Sequence, residues 1–253
     1  MPPPGAYPAA AGPAGTAGGA VNADVGTAFS WAINKFGKYA AVLIGLAAVV
    51  FVVRLIGTLI NRVILDALVG NCNNTIFVDG QAITTTGVCA ASLVQTLIAS
   101  LITAIVFGVL AWIATIGIYR AALKTTLGET PGFQNLTTGE NLGKYIVVAI
   151  VYGLLIGVGL ALCIVPGIIA AFLFQLAPFY ALDKGESVSE ALTNSFRATT
   201  QNFVPALLMT IVNIVTAFVG TFLFGILTLV ALPFAALFTA HMYRQFNREQ
   251  IAA

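Results

Sequence analysis

Few residues in this chain could do chemistry, and their types and spacing narrow what that chemistry would be. Cys72 and Cys89 have sixteen residues between them (73–88) and no other cysteine nearby. On an oxidising face such a pair reads as a disulfide closing a loop, contributing about 3 kcal/mol in the chain-entropy model. The alternatives are two free thiols or a metal pair, although no His accompanies them and two ligands make a poor zinc site. Cys163 reads as a small packed apolar residue. Arg54 is the one charge inside an apolar run, where an ionisable group is a functional candidate. It lies close enough to the end of its run to snorkel to lipid headgroups; otherwise it binds an anionic lipid or pairs with Asp66. Gln95, Gln175 and Asn213 are the uncharged polar residues of the runs, suited to interhelical hydrogen bonds, and Gln175 and Asn213 join Arg54 as candidate lipid or anion contacts. Asp183, Glu186 and Glu190 suggest an acid/base pair, but Lys184, Arg197 and open solvent surround them, and a solvated, helix-capping role needs less. His241 has no carboxylate or second His near it in sequence and reads as interfacial. No Walker loop, nucleophile elbow, metal-ligand cluster or dinucleotide fingerprint occurs. No catalytic residue, metal site or cofactor is therefore assigned, and no enzyme is expected.

The elements that must position these residues follow from composition. Of 253 residues, 59% are hydrophobic and 8% charged, with a mean hydropathy of +0.97, whereas a soluble domain carries about 25% charged residues. The chain is too poor in charge to wet a globule. Eleven Lys and Arg and a net charge of +2 cannot form a phosphate-tracking patch, which excludes a nucleic-acid partner. Apolar stretches at 39–60, 93–118, 145–165, 167–182, 203–223 and 225–240 meet or approach the roughly 20 residues a spanning helix needs. The fourth is short and carries Pro178, which predicts a tilt or kink. Pro166 and Gly167 form a structural turn that separates it from the third. The expected fold is all-α: a polytopic membrane protein of six transmembrane helices arranged as three hairpins, each preceded by a cytoplasmic amphipathic helix.

Lysine and arginine orient it. With the N-terminus inside, Lys35, Lys38, Arg120, Lys124, Lys144, Lys184, Arg197, Arg244 and Arg248 are cytoplasmic, Arg62 is outside, and Arg54 lies within the first span. Both termini are thus expected in the cytoplasm, with the transmembrane domain at 23–245 and an outer loop at 61–90 that holds the cysteine pair. A tail follows at 246–253. Residues 1–22 form a Pro/Gly/Ala-rich arm with nothing to bury, expected to be disordered and lacking the pattern of a signal peptide.

The cytoplasmic connections repeat. Gly37-Lys38-Tyr39 and Gly143-Lys144-Tyr145 precede the first and third spans, and Gln201-Asn202-Phe203 holds the equivalent place before the fifth; Gly128-Glu129 echoes Gly185-Glu186. Three copies of a surface helix followed by a hairpin account for this. The third surface helix is the best defined, with a capping box at Ser187 and Glu190 and an apolar face of Val188, Leu192, Phe196, Thr199 and Phe203. Glu190, Asn194, Arg197 and Gln201 fall largely opposite. Such a helix is a structural lintel across the span ends, or a docking surface for a partner or headgroups. Gly153-x-x-x-Gly157, with Gly159, gives the third span a flat packing face.

Val165-Pro166-Gly167-Ile168-Ile169, Phe179-Tyr180-Ala181-Leu182-Asp183, Ser187-x-x-x-Ala191-Leu192-x-x-Ser195-Phe196 and Asn202-Phe203 together resemble a family pattern, and Gly128-Glu129-x-Pro131 fits it. The pattern is that of bacterial proteins grouped with the membrane domain of glycerophosphodiester phosphodiesterases and related six-span families. The resemblance covers about 24–245, with its specific letters within 163–203, and implies a six-helix integral membrane fold. The chain carries no catalytic domain and none of that domain's metal-binding carboxylates or His, so the resemblance carries no enzymatic activity over. The arm is similar in composition to envelope proteins of high-GC Gram-positive bacteria. The expectation is a non-enzymatic protein of the bacterial plasma membrane, an accessory or scaffold subunit in envelope lipid metabolism or a larger membrane complex. Its partners would be membrane lipids and a membrane protein docked on Ser187, Glu190, Leu192, Phe196, Arg197 and Phe203. The alternative is a small lipid or amphiphile transporter with a path near Arg54, Gln175 and Asn213.

Overall fold

Long runs of Leu, Ile, Val, Ala and Phe favour helix in hydrocarbon, because a helix satisfies its own backbone polar groups. The computed structural model describes residues 23–68, 72–79, 81–87, 90–222 and 225–252. The expected arm at 1–22 lies outside the described residues. So does Cys89, and with it the expected disulfide to Cys72. Among the described residues the helices are α1 (Val25–Leu68), α2 (Ala90–Thr126), α3 (Leu142–Leu162), α4 (Ile164–Leu173), α5 (Ala177–Lys184), α6 (Val188–Gln201), α7 (Phe203–Phe222) and α8 (Thr228–Phe246).

Five segments are long and apolar enough to cross a membrane: α1, α2, α3, α4 together with α5, and α7. Val94, Leu97, Leu101 and Ile105 on α2, Ile150 and Leu154 on α3, and Ile214 and Phe218 on α7 are all exposed. An apolar surface of that extent needs hydrocarbon around it. The helix α8 carries His241, Tyr243, Arg244 and Gln245 in its last turns and is instead shielded by protein. Its Leu237, Phe238, Met242 and Tyr243 are fully buried with Leu43 and Leu46 of α1 and Ile116 and Ile118 of α2, and it packs along α1, α2 and α7.

At 1.5 Å per residue, α1 is about 66 Å long, twice the roughly 30 Å hydrocarbon thickness. Non-helical backbone at Tyr39 (φ −115°, ψ 21°) divides it. The segment before Tyr39 covers the stretch expected as the first surface helix, and the segment after it carries the first apolar stretch.

Four expectations are corrected. The fold is not purely helical: β1 (Cys72–Val78) and β2 (Gln81–Gly87) pair antiparallel, with Val78 opposite Gln81 and Cys72 opposite Gly87. Asp79, at φ 49°, opens the two-residue connection. The second surface helix is reduced to a single 3-10 turn at Phe133–Leu136, wedged where Gly45 and Gly117 leave room for the side chains of Phe133 and Leu136. Pro166 and Gly167 are not the turn between spans. The chain turns at exposed Cys163 (φ −166°, ψ 144°), which is also not the packed residue expected, and Pro166 and Gly167 sit in the first turn of α4. A proline is tolerated there because the N–H it lacks would have no helical partner. Gly167 and Gly159 instead let α4 and α3 touch backbone to backbone: a Cβ on Gly159 would lie 2.8 Å from the Gly167 Cα. Gly153 and Gly157 face open space.

The fourth correction concerns α6. The expected box is present: the Glu190 carboxylate accepts from the Ser187 backbone N–H at 2.9 Å and from its hydroxyl at 2.7 Å. The buried face, however, is Ala191, Ser195, Ala198 and Thr199. Leu192 is half-buried, whereas Phe196 and Phe203 are 43% and 54% exposed.

Candidate functional site

Arg54, Gln175 and Asn213 are far apart in sequence and are positioned by three different devices. Arg54 lies fifteen residues past the α1 kink, about 22 Å along the helix, well inside an apolar length. Gln175 sits in the break between α4 and α5, where Pro178 near the start of α5 prevents a continuous helix. Asn213 is in the middle of α7. For Gln175 and Asn213 the expected interhelical bonds are present. Thr210 donates to Gln175 Oε1 at 3.0 Å, and Asn213 Nδ2 donates to the Thr239 hydroxyl of α8 at 2.9 Å. Gln175 Nε2 is buried without a partner.

These side chains line adjoining cavities. One of about 220 Å³ lies between α1, α7 and α8 and is walled by Val50, Arg54, Asn213, Thr216 and Thr228. A second, of about 460 Å³, is bounded by Tyr119, Tyr145, Tyr152, Gln175, Asn213 and Thr239. Asn213, Ala217, Leu232 and Ala235 belong to both walls. A third cavity, of about 330 Å³ between α1 and α2, also has Arg54 in its wall, with Thr58, Asn61, Ser100 and Thr103. Arg54 thus stands at the seam of two cavities and Asn213 at the seam of the next two. No ion pair among the described residues involves Arg54, so the alternative pairing with Asp66 is not found. Reading the spans singly could not find Asn61, Ser100, Thr103 or the tyrosines, because none breaks the apolar pattern enough to stand out.

A separate polar cluster locks the end of the bundle where α1 begins and α8 ends. Arg244, 5% exposed, donates to Asp183 through both terminal nitrogens, at 2.7 and 2.8 Å, and to Glu249 and the Thr126 hydroxyl. The Tyr243 hydroxyl donates to Asp183 at 3.0 Å, and Lys184 pairs with Glu249 at 2.8 Å. Burial opposes the charged form of Glu249, but hydrogen bonds from Lys184 and Arg244 more than offset it and hold its carboxyl below the usual 4.5. The segment after α8 is therefore packed rather than a loose tail. Ala252 N donates to Thr126 O at 2.9 Å, and Trp31 Nε1 donates to Ala252 O at 2.9 Å. Asp183, expected to be solvated, is an internal anchor. His241, read as interfacial, is buried against the Trp31 ring at 4.9 Å. Ser187 capping α6, Glu190 and Arg197 on it, and Phe203 at the start of α7 remain exposed. No group of three or more His, Cys, Asp or Glu that could hold a metal ion gathers among the described residues.

Comparison with known proteins adds relatives but no activity. An uncharacterized protein of Mycobacterium bovis (strain ATCC BAA-935 / AF2122/97) and one of Mycobacterium tuberculosis (strain CDC 1551 / Oshkosh) are each 27% identical over 231 residues, covering 90% of this chain and 70% of the relative. A Mycobacterium tuberculosis H37Rv protein is 26% identical over the same extent. No family model matches, so the resemblance to the phosphodiesterase-associated membrane domain rests on its quoted residues alone. No solved structure matches.

Proposed function

We propose that this chain is a non-enzymatic, multi-pass protein of the bacterial plasma membrane that takes up an anionic amphiphile of lipid type and moves it along the cavities between its helices. One observation carries this reading: Arg54, more than a hundred residues before the other two in sequence, lines a cavity adjoining the one lined by Gln175, with Asn213 shared between them. A cation with no partner carboxylate among the described residues favours an anion in the same low-dielectric surroundings, and the apolar remainder of each wall suits a hydrocarbon chain. In this reading the chain crosses the bilayer six times as three hairpins, with both termini cytoplasmic. The shielding of α8 by α1, α2 and α7 supports the sixth crossing despite its polar last turns.

The test is lipid movement in proteoliposomes reconstituted with the full chain and a headgroup-labelled anionic phospholipid. Transfer between leaflets above the protein-free rate is expected, with a several-fold loss on Asn213→Leu, which keeps the volume and removes the polar seam. Protein-free rates in correctly folded liposomes would sink the proposal.

The second reading is an accessory or scaffold subunit of a membrane complex. It draws on α6, whose Phe196 and Arg197 are exposed beside its polar residues, and on Phe203 at the start of α7. It stands second because the largest charged cluster at that end, Asp183, Lys184, Arg244 and Glu249, is engaged within the chain. Co-purification of a stoichiometric membrane-protein partner, abolished by Phe196→Ser, would reverse the order.

A further inference from the structure

The cavity between α1 and α2 has a donor and acceptor pattern more specific than an apolar cleft. Its cation is Arg54. Its other polar groups point the opposite way chemically. The Thr58 hydroxyl donates to Arg54 O at 3.0 Å and the Thr103 hydroxyl to Ala99 O at 2.8 Å. With those protons engaged, each hydroxyl offers only lone pairs to the cavity. Asn61 Oδ1, also in this wall, is buried and has no hydrogen-bond partner. An orphaned buried acceptor is costly and calls for a donor from something outside the chain. The wall therefore combines one uncompensated positive charge with at least three acceptors, and no Asp or Glu lines it.

From that pattern we infer that this cavity is a headgroup site for a phospholipid that is net anionic and whose headgroup carries hydroxyl donors. The phosphodiester meets Arg54, and the headgroup hydroxyls donate to Asn61, Thr58 and Thr103. A zwitterionic lipid would bring an ammonium to the acceptors but leave the site with the net charge of Arg54. An anionic lipid without hydroxyls would leave Asn61 orphaned. The inference rests on the reading of the adjoining cavities as an amphiphile path, because Arg54 is common to this cavity and the next.

The experiment is native mass spectrometry of the full chain released from detergent micelles, titrated with four lipids of the same acyl chains. These are phosphatidylglycerol, phosphatidylethanol, phosphatidylethanolamine and phosphatidylcholine. The first two carry the same charge and differ in headgroup hydroxyls. Phosphatidylglycerol should bind best, about fivefold more tightly than phosphatidylethanol, as expected for one hydrogen bond of about 1 kcal/mol. Asn61→Leu should erase that difference and keep both anionic lipids above phosphatidylcholine. Arg54→Gln should remove the preference for the anionic lipids over phosphatidylcholine while leaving phosphatidylglycerol above phosphatidylethanol, and Arg54→Lys, which retains the charge should the Gln variant not fold, should keep the anionic preference. Equal binding of phosphatidylglycerol and phosphatidylethanol to the native chain, or of phosphatidylethanolamine and phosphatidylglycerol, overturns the inference, as does discrimination that survives Asn61→Leu. Selective binding without lipid movement in proteoliposomes would retain this site and remove the transport reading. Movement without headgroup selectivity would do the reverse.

Discussion

Replacing Arg244 by Met should destabilise the chain through the partner it abandons rather than through lost area. Arg244 and Asp183 have side chains 6% and 14% exposed, and Met preserves most of the aliphatic packing of the arginine stem. Truncation leaves the Asp183 carboxylate with the Tyr243 hydroxyl as its remaining donor from this cluster. Removing one member of a buried pair costs about 3–5 kcal/mol. The low end applies, because Asp183 keeps some solvent exposure and Arg120, Lys124 and Lys184 border the same cavity, with Glu129 and Glu140. Asp183→Asn should cost less, about 1.5–2 kcal/mol for weakened charge-assisted bonds, because Arg244 keeps Glu249. The double variant removes both charges and should cost less than its two single changes together, by at least about 1.5 kcal/mol. Equilibrium unfolding in mixed detergent–SDS micelles, followed by tryptophan fluorescence, measures this. Trp31 reports directly, since its ring contacts His241 and its indole N–H donates to the Ala252 carbonyl. An Arg244→Met variant within about 0.5 kcal/mol of the native chain, or strictly additive changes, would refute the claim that this pair anchors the terminal end.

Gly159→Ala should lower stability by about 1–3 kcal/mol through overpacking against the Gly167 backbone, while Gly157→Ala, whose Cβ meets nothing within 4 Å, should be neutral or slightly stabilising in the same unfolding assay. The depressed pKa of Glu249 gives a pH dependence of known sign. The stabilisation from this group is present above about pH 4.5 and is lost as pH falls through the lower folded value. Trp31 fluorescence should therefore change on acidification below pH 4.5, and Glu249→Gln should remove that step. If Cys72 and Cys89 are joined, maleimide added under denaturing, non-reducing conditions should label Cys163 alone, and all three cysteines of the chain after reduction. Three labels without reduction would leave the outer loop without its expected staple.

The parts of the fold legible in the sequence were those that a run of residues encodes locally. The apolar stretches, the break at Pro178 and the Ser187–Glu190 box each follow from neighbours in the chain. The β-ribbon was equally local and still missed: Asp79-Gly80 between two seven-residue strands is a strong hairpin signal, but the strands are rich in Thr and Asn and read as loop beside such apolar helices. The face of α6 was misjudged for a different reason. Hydropathy favours Leu192 and Phe196, whereas close helix packing selects the small Ala191, Ser195 and Ala198. The Arg244–Asp183 pair joins residues 61 positions apart, and no local pattern announces it. The same holds for the cavities: Arg54, Gln175 and Asn213 could be named singly, but that their walls adjoin depends on how α1, α5, α7 and α8 pack.

Ser195 relates the surface helix to the cavities. Its hydroxyl donates to Leu173 O at 3.0 Å and accepts from Leu176 N at 3.1 Å. Those are the two backbone groups that flank the break between α4 and α5, where a continuous helix would have satisfied them internally. In an apolar setting each would be costly if left alone, so the break that presents Gln175 to its cavity is held open by α6. The hydrogen bonds make α6 and the inner cavity one mechanical unit, with Phe196 and Arg197 on the outer side of the same helix. A partner bound to that outer face and an amphiphile held near Gln175 would therefore act on the same break in the chain. The docking and transport readings are physically linked rather than alternative uses of separate surfaces.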